Sequence, residues 1–219
     1  MRAALIVLGW LFAGGVAQAA VVVHNFSGLV TLSTTAAFAS PVGSAFTGQL
    51  VVDTSIPGQT VVHPDYDHGL YPALIKFSLQ FAGFEVSATG PGSITVQDGK
   101  TAPYGDFFDV DATNNLGPAT PSLGLPIAMT MTLSDPASTR FTSTQFPTAL
   151  EVFPLSLVQV IYLAPSGIEV ARGEITEFSS SAIPEPAIWA MMTAGFVVAG
   201  AALRRRRVSY MDLAVSEAP

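Results

Sequence analysis

Two short clusters concentrate side chains able to hold a metal ion or move a proton. His63-Pro64-Asp65-Tyr66-Asp67-His68 places two imidazoles and two carboxylates close together, the donor types that zinc and other divalent ions take. His24 is the only other histidine, so no second histidine cluster exists to complete a closed site. The competing reading is a solvated loop packed by Tyr66 and Tyr71. Asp106, Asp109 and Asp111, with Asn114 and Asn115 just beyond, offer hard oxygens suited to calcium. Their order lacks the central Gly and terminal Glu of an EF-hand loop. On a strand, Asp109 and Asp111 share a face and Val110 points the other way; the competing reading is a polar strand edge running into an Asn-rich turn. Glu151 with Glu169 or Glu174 is the pair that glycoside hydrolysis could use, if folding set them across a cleft. No Gly-x-Ser-x-Gly elbow and no phosphate-cradling Gly-rich loop is present. With no cysteine, a thiol nucleophile, Cys-ligated zinc and an iron–sulfur site are excluded in this chain. No catalytic residue and no cofactor is assigned, and the chain is read as non-enzymatic.

The elements that position these groups read as strands. Phe46, Gly48, Leu50 and Val52 alternate with Thr47, Gln49 and Val51; Ile75, Phe77, Leu79 and Phe81 alternate with Lys76, Ser78 and Gln80. Residues 84–88 follow the turn signal Ala82-Gly83 as a hairpin partner. Ile94-Thr95-Val96 is a further short run, and Met129, Met131 and Leu133 alternate with Thr130, Thr132 and Ser134. Leu157 to Leu163 is nearly continuous apolar, a candidate central strand, and a last run from Ile168 reaches Phe178. Period-two alternation gives sheets with one buried face. Gly and Pro punctuate these runs, and no capped pattern of period 3.6 interrupts them. The fold class expected is all-β, an antiparallel β-sandwich or jelly roll. The fourteen Phe are read mostly as core. Tyr66, Tyr71, Tyr104 and Tyr162 include three placed in loops, where a stacking face for polysaccharide is conceivable.

Charge narrows the partners. The chain carries a formal −7, and residues 20–181 are more acidic still: Lys76, Lys100, Arg140 and Arg172 stand against thirteen Asp and Glu. Phosphate binding needs clustered cations, so DNA, RNA and anionic lipid are poor partners for this stretch.

Both ends of the chain look like targeting segments. Arg2 precedes the apolar, uncharged run Ala3 to Val16, and Ala17-Gln18-Ala19 fits the small-x-small rule for signal-peptide cleavage, so the mature chain is expected to start at Ala20. At the far end, Pro184-Glu185-Pro186 leads into Ala187 to Leu203, which holds no charge, and then Arg204-Arg205-Arg206-Arg207. At about 1.5 Å per residue the run spans about 25 Å, at the short end of what crosses a hydrocarbon core. Trp189 sits near its outer end, where an amphipathic ring favours the interface, and the arginines favour the cytoplasmic side. Gly195 and Ala199 are four apart and give a small-residue face for helix packing. The prolines hold the residues before them extended and keep Glu185 accessible. A plain tail anchor has no need of these extra features.

Pro184-Glu185-Pro186, Trp189-Ala190-Met191-Met192, Gly195 and the four arginines together resemble the PEP-CTERM sorting signal, over residues 182–207. The resemblance implies export by a Gram-negative cell, recognition by exosortase (a membrane-embedded cysteine transpeptidase), cleavage near Pro-Glu-Pro, and delivery to the cell surface or extracellular polysaccharide. Family members usually end soon after the arginines; this chain continues from Val208 to Pro219. Phe46 to Thr54 followed by Pro57 is also similar to a segment near the start of many β-rich cargo domains of this kind. The expected organisation is a signal peptide at 1–19, an exported β-domain at 20–178, a linker at 179–183, the sorting signal at 184–207 with its helix at 187–203, and a short cytoplasmic tail at 208–219. The expected partners are exosortase, the membrane during sorting, and exopolysaccharide as a further candidate. A glycan- or calcium-binding surface module is the alternative reading of the exported part, and an extracellular hydrolase stands behind it.

Overall fold

The computed structural model describes residues 21–34, 41–101, 103–114, 116–118, 124–165 and 167–183, with 196 and 197 beyond them. Ala20–Ile183 form one compact unit. Among the described residues it has twelve strands: β1 (Val21–Ser33), β2 (Ala45–Asp53), β3 (Gln59–Val62), β4 (Tyr66–Tyr71), β5 (Leu74–Gln80), β6 (Glu85–Thr89), β7 (Ser93–Gly99), β8 (Asp106–Ala112), β9 (Leu116–Gly117), β10 (Leu125–Asp135), β11 (Leu155–Ala164) and β12 (Gly167–Ile183). Every pairing is antiparallel. The class is all-β and antiparallel, as the alternation requires.

Hydrogen bonding runs without a break in the order β3-β4-β7-β8-β10-β11-β12-β1-β2-β5-β6-β9. The layers of the expected sandwich are therefore not separate hydrogen-bonded sheets. The ribbon instead curls on itself. Phe84, between β5 and β6, meets Tyr162 of β11 edge to face at 6.2 Å, and β9 lies against β10. One apolar cluster results, with Phe26, Phe77 and Val86 from one half of the ribbon and Phe108, Met131 and Val160 from the other. Removing that apolar surface from water is the main force holding the curl closed.

The first and last strands of the unit are neighbours in the middle of the ribbon. Val21 pairs with Ile183 and His24 with Ser180. The linker expected at 179–183 is therefore part of β12. Ser179, Ser180 and Ser181 pair with Asn25, His24 and Val23, and the long β1 ladder overrides the weak strand preference of a serine run. Pro184 follows directly and brings no N–H to extend such a ladder.

A bulge corrects a second expectation. Val51 pairs with Lys76 but Val52 with Leu74, so one extra residue sits in β5. The shift turns Leu74 inward and leaves Ile75 41% exposed, where unbroken alternation would have buried it.

Two glycines allow the packing. A Cβ on Gly48 would lie 2.1 Å from the Phe26 ring, and one on Gly173 would lie 2.3 Å from the Phe46 ring. Phe26 of β1 covers the bare backbone of its neighbour β2, and Phe46 of β2 reaches across β1 to that of β12, which is a specific use of glycine inside a sheet.

Residues 136–154 connect β10 to β11 without regular structure and still contribute Leu150 and Phe153 to the core. Phe146 meets His24, Tyr71 and Phe108 at centroid distances of 6.5, 5.4 and 5.7 Å. The Tyr71 hydroxyl donates to the Thr144 carbonyl. A connection of this length needs internal partners of its own, and aspartates supply them.

Candidate functional site

The sequence-predicted metal candidates do not converge. Asp106 opens β8 on the inward face, fully buried, while Asp109 and Asp111 lie on the outward face with Phe107. Asp106 Oδ1 accepts from Gly99 N at 2.9 Å, and Oδ2 accepts from Arg140 N at 2.7 Å and Phe141 N at 2.8 Å. Both oxygens hold backbone in place. Asp135, its register partner on β10, accepts from Ala137 N, Thr139 N and the Thr139 hydroxyl. The Thr139 hydroxyl first, and then these amides, hold its carboxyl below the usual range. Asp106 and Asp135 are thus the anchors of the 136–154 connection. Asp109 accepts from the Thr132 hydroxyl at 2.6 Å; burial pushes its carboxyl up, against the pull of that bond. β8 lies between β7 and β10, so it is not the sheet edge that its acidic sequence suggested. Asn114 begins the following turn, and Asn115 lies outside the described residues.

His63-Pro64-Asp65 forms a loop, but Tyr66-Asp67-His68 belongs to β4. Tyr66 stacks with His63 at 4.4 Å and with His68 at 5.7 Å, and Tyr104 tilts against it at 5.1 Å. Lys100 Nζ donates to Asp67 Oδ1 at 2.6 Å and to the His63 carbonyl, while Thr101 donates to Asp65. The Lys100 hydrogen bond lowers the Asp67 pKa. The two carboxylates are thus engaged by Lys100 and Thr101, and both imidazoles lie against the Tyr66 ring. Among the described residues no group of three or more His, Asp or Glu is arranged to hold a metal ion. Of the three tyrosines expected in loops, Tyr66 and Tyr71 are on β4 and Tyr104 alone lies outside a strand; Tyr162, inside the run from Leu157 to Leu163 expected as a strand, is on β11.

The carboxylates considered for hydrolysis are engaged elsewhere or spread along a strand. Glu151 pairs with Arg140 at 3.0 Å. Its two expected partners, Glu169 and Glu174, both lie on β12, and Glu169 accepts from the Thr34 hydroxyl at 2.7 Å.

What the fold does gather is a groove of about 480 Å³ on the outward side of β12, β1, β2 and β5, reaching Glu85 at the start of β6. Two cross-strand rows form it by register. The first runs Ser179, Asn25, Gln49, Ser78; the second runs Glu177, Ser27, Thr47, Gln80, Glu85. Gln49 Nε2 donates to Asn25 Oδ1 at 3.0 Å, and the Ser27 hydroxyl donates to Glu177 at 3.1 Å. Gln80 is held by bonds to the carbonyls of Phe81 and Phe84. None of the lining residues is Lys or Arg; Lys76 stands one row beyond, paired with Val51. The sequence shows Thr47, Gln49, Ser78 and Gln80 as outward positions. It gives no sign that β1 and β12 adjoin them, since that neighbour relation spans the whole domain.

The sorting-signal residues Pro184, Glu185, Pro186, Trp189, Ala190, Met191, Met192, Gly195 and Arg204 to Arg207 lie outside the described residues, as do Ala17 and Ala19 at the expected signal-peptide site. Among the described residues no helix is long and apolar enough to cross a membrane. Comparison with protein-family models, with curated proteins and with solved structures finds no match.

Proposed function

We propose that the chain is an exported, non-enzymatic surface or extracellular-matrix protein. On this reading it is released from its N-terminal signal peptide after Ala19 and sorted by a C-terminal PEP-CTERM-like signal that exosortase processes. The observation that carries the reading is the uncharged run Ala187 to Leu203, held between Pro184-Glu185-Pro186 and Arg204 to Arg207. Such a rod suits a lipid bilayer, with the cationic end kept in the cytoplasm. The β-domain is compatible with it. Val21 and Ile183, beside which the two proposed cleavages fall, are register partners, so trimming at both places leaves the β1–β12 ladder whole. The curled sheet would be the sandwich-like body that reaches the cell surface.

The reading is tested by Glu185→Ala in a Gram-negative host that carries the processing enzyme. The expected result is accumulation of a membrane-bound, unprocessed chain. Release of the variant at the wild-type rate would overturn it.

A second reading, that the exported body is a glycan-binding module, is favoured by the amides and hydroxyls at the centre of the groove. A calcium-binding module draws no similar support, because Asp106 is turned away from Asp109 and Asp111.

A further inference from the structure

We infer that the groove across β12, β1, β2 and β5 binds a neutral polysaccharide chain. This rests on the glycan-binding reading and names its site and ligand class. The volume of about 480 Å³ lies in the range of small-ligand sites, roughly 300–1,000 Å³. Its centre is made of amides and hydroxyls. After the Gln49–Asn25 bond, the Asn25 amide nitrogen and the Gln49 carbonyl oxygen keep hydrogen-bonding capacity. Sugar hydroxyls both donate and accept, and they match such a mixed surface. The two amides are fixed to each other on adjacent interior strands, so little freedom is lost when a ligand binds.

Charge selects the ligand class. No cation lines the groove, and carboxylates stand at its two ends, Glu177 on β12 and Glu85 on β6. Uronate, sulfate and phosphate groups would meet repulsion there, whereas a neutral hydroxyl can donate to either carboxylate in a charge-assisted bond. The carboxylates cannot share a cation. Four strand spacings separate them in the row, roughly 19 Å. The two rings in the lining, buried Phe26 and half-buried Phe178, are register partners on the face behind the groove, so recognition works without ring stacking. Binding without an aromatic platform is weak per sugar and calls for several sugars in a row, which makes a polymer the occupant.

The test is affinity electrophoresis of the full-length chain, held in a zwitterionic detergent free of sugar, through gels containing galactomannan, dextran, xyloglucan or alginate. At least one neutral polymer should retard the protein, its monosaccharide should not compete, and alginate should leave mobility unchanged. The double variant Asn25→Ala/Gln49→Ala should lose roughly tenfold in affinity, with melting temperature and oligomeric state unchanged; Tyr104→Ala should bind as wild type. No retardation by any neutral polymer overturns the inference. So does stronger retardation by alginate, a calcium-dependent melting shift lost in Glu85→Gln, or a double variant that changes self-association instead of binding. Sorting plays no part in the measurement. A chain that is exported and fails to bind therefore refutes the groove alone, and one that binds and is not exported refutes the sorting alone.

Discussion

His24 and Ser180 face each other across the β1–β12 pair, with His24 Nδ1 2.8 Å from Ser180 Oγ. The same hydroxyl accepts from Leu150 N at 3.1 Å, so one serine ties both central strands to the 136–154 connection. The imidazole is fully buried, and its Nε2 has no hydrogen-bond partner among the described residues. Burial pushes its pKa down from 6.5 to about 4.

That depression sets a pH dependence. Between about pH 6.5 and 4 the unfolded chain binds a proton at His24 that the folded chain refuses. The stability His24 contributes is complete above about pH 6.5 and drains as pH falls to about 4, by roughly 3 kcal/mol if the whole shift is realised. Asp135, whose folded pKa is lowered, sheds its contribution only below the ordinary carboxylate range. Urea midpoints measured from pH 7.5 to 4 should fall with pH in the wild type and much less steeply in His24→Leu.

The two faces of β8 predict opposite responses to the same change. Asp106→Asn puts an amide N–H against backbone donors and should cost about 3 kcal/mol. Asp109→Asn keeps an acceptor for Thr132 and removes a charge that burial disfavours, so it should lie within about 0.5 kcal/mol of wild type at pH 7. Equilibrium urea unfolding of both variants checks the contrast.

The strands themselves were legible because one face of each is buried, and that face writes a period of two into the residues. The Phe46 to Val52 and Met129 to Ser134 alternations carried straight into β2 and β10. Leu157 to Leu163 became β11, in the interior of the ribbon, and residues 84–88 became the hairpin partner of β5. What failed needed a neighbour to be known. Ile75 is turned out by a bulge that depends on the pairing with β2. Ser179 to Ser181 read as linker because serine has no preference for strands, yet β1 supplies a ladder from the other end of the domain. The groove was hidden for the same reason: Asn25 and Ser179 reach Gln49 and Ser78 only through strand order. Acidic β8 looked like an edge, and its register with β7 and β10 makes it interior.

Close approach at Gly48 predicts a third outcome. Gly48→Ala drives a methyl into the Phe26 ring and should cost about 2–3 kcal/mol. Adding Phe26→Leu should cost less in the Gly48→Ala background than in the wild type, because the clash is then relieved. A double-mutant cycle from urea midpoints reads that coupling directly. Gly117→Ala, where an added Cβ meets nothing within 4 Å, is the matched control and should change stability little.

The most direct test of the sorting account is peptide mapping by mass spectrometry of the wild-type chain recovered from the surface and medium of cells that carry the processing enzyme. The account predicts a polypeptide that starts at Ala20 and ends near Pro184-Glu185-Pro186, with Arg204 to Arg207 absent. An intact chain, from Met1 through Pro219, found free in the cytoplasm would contradict it.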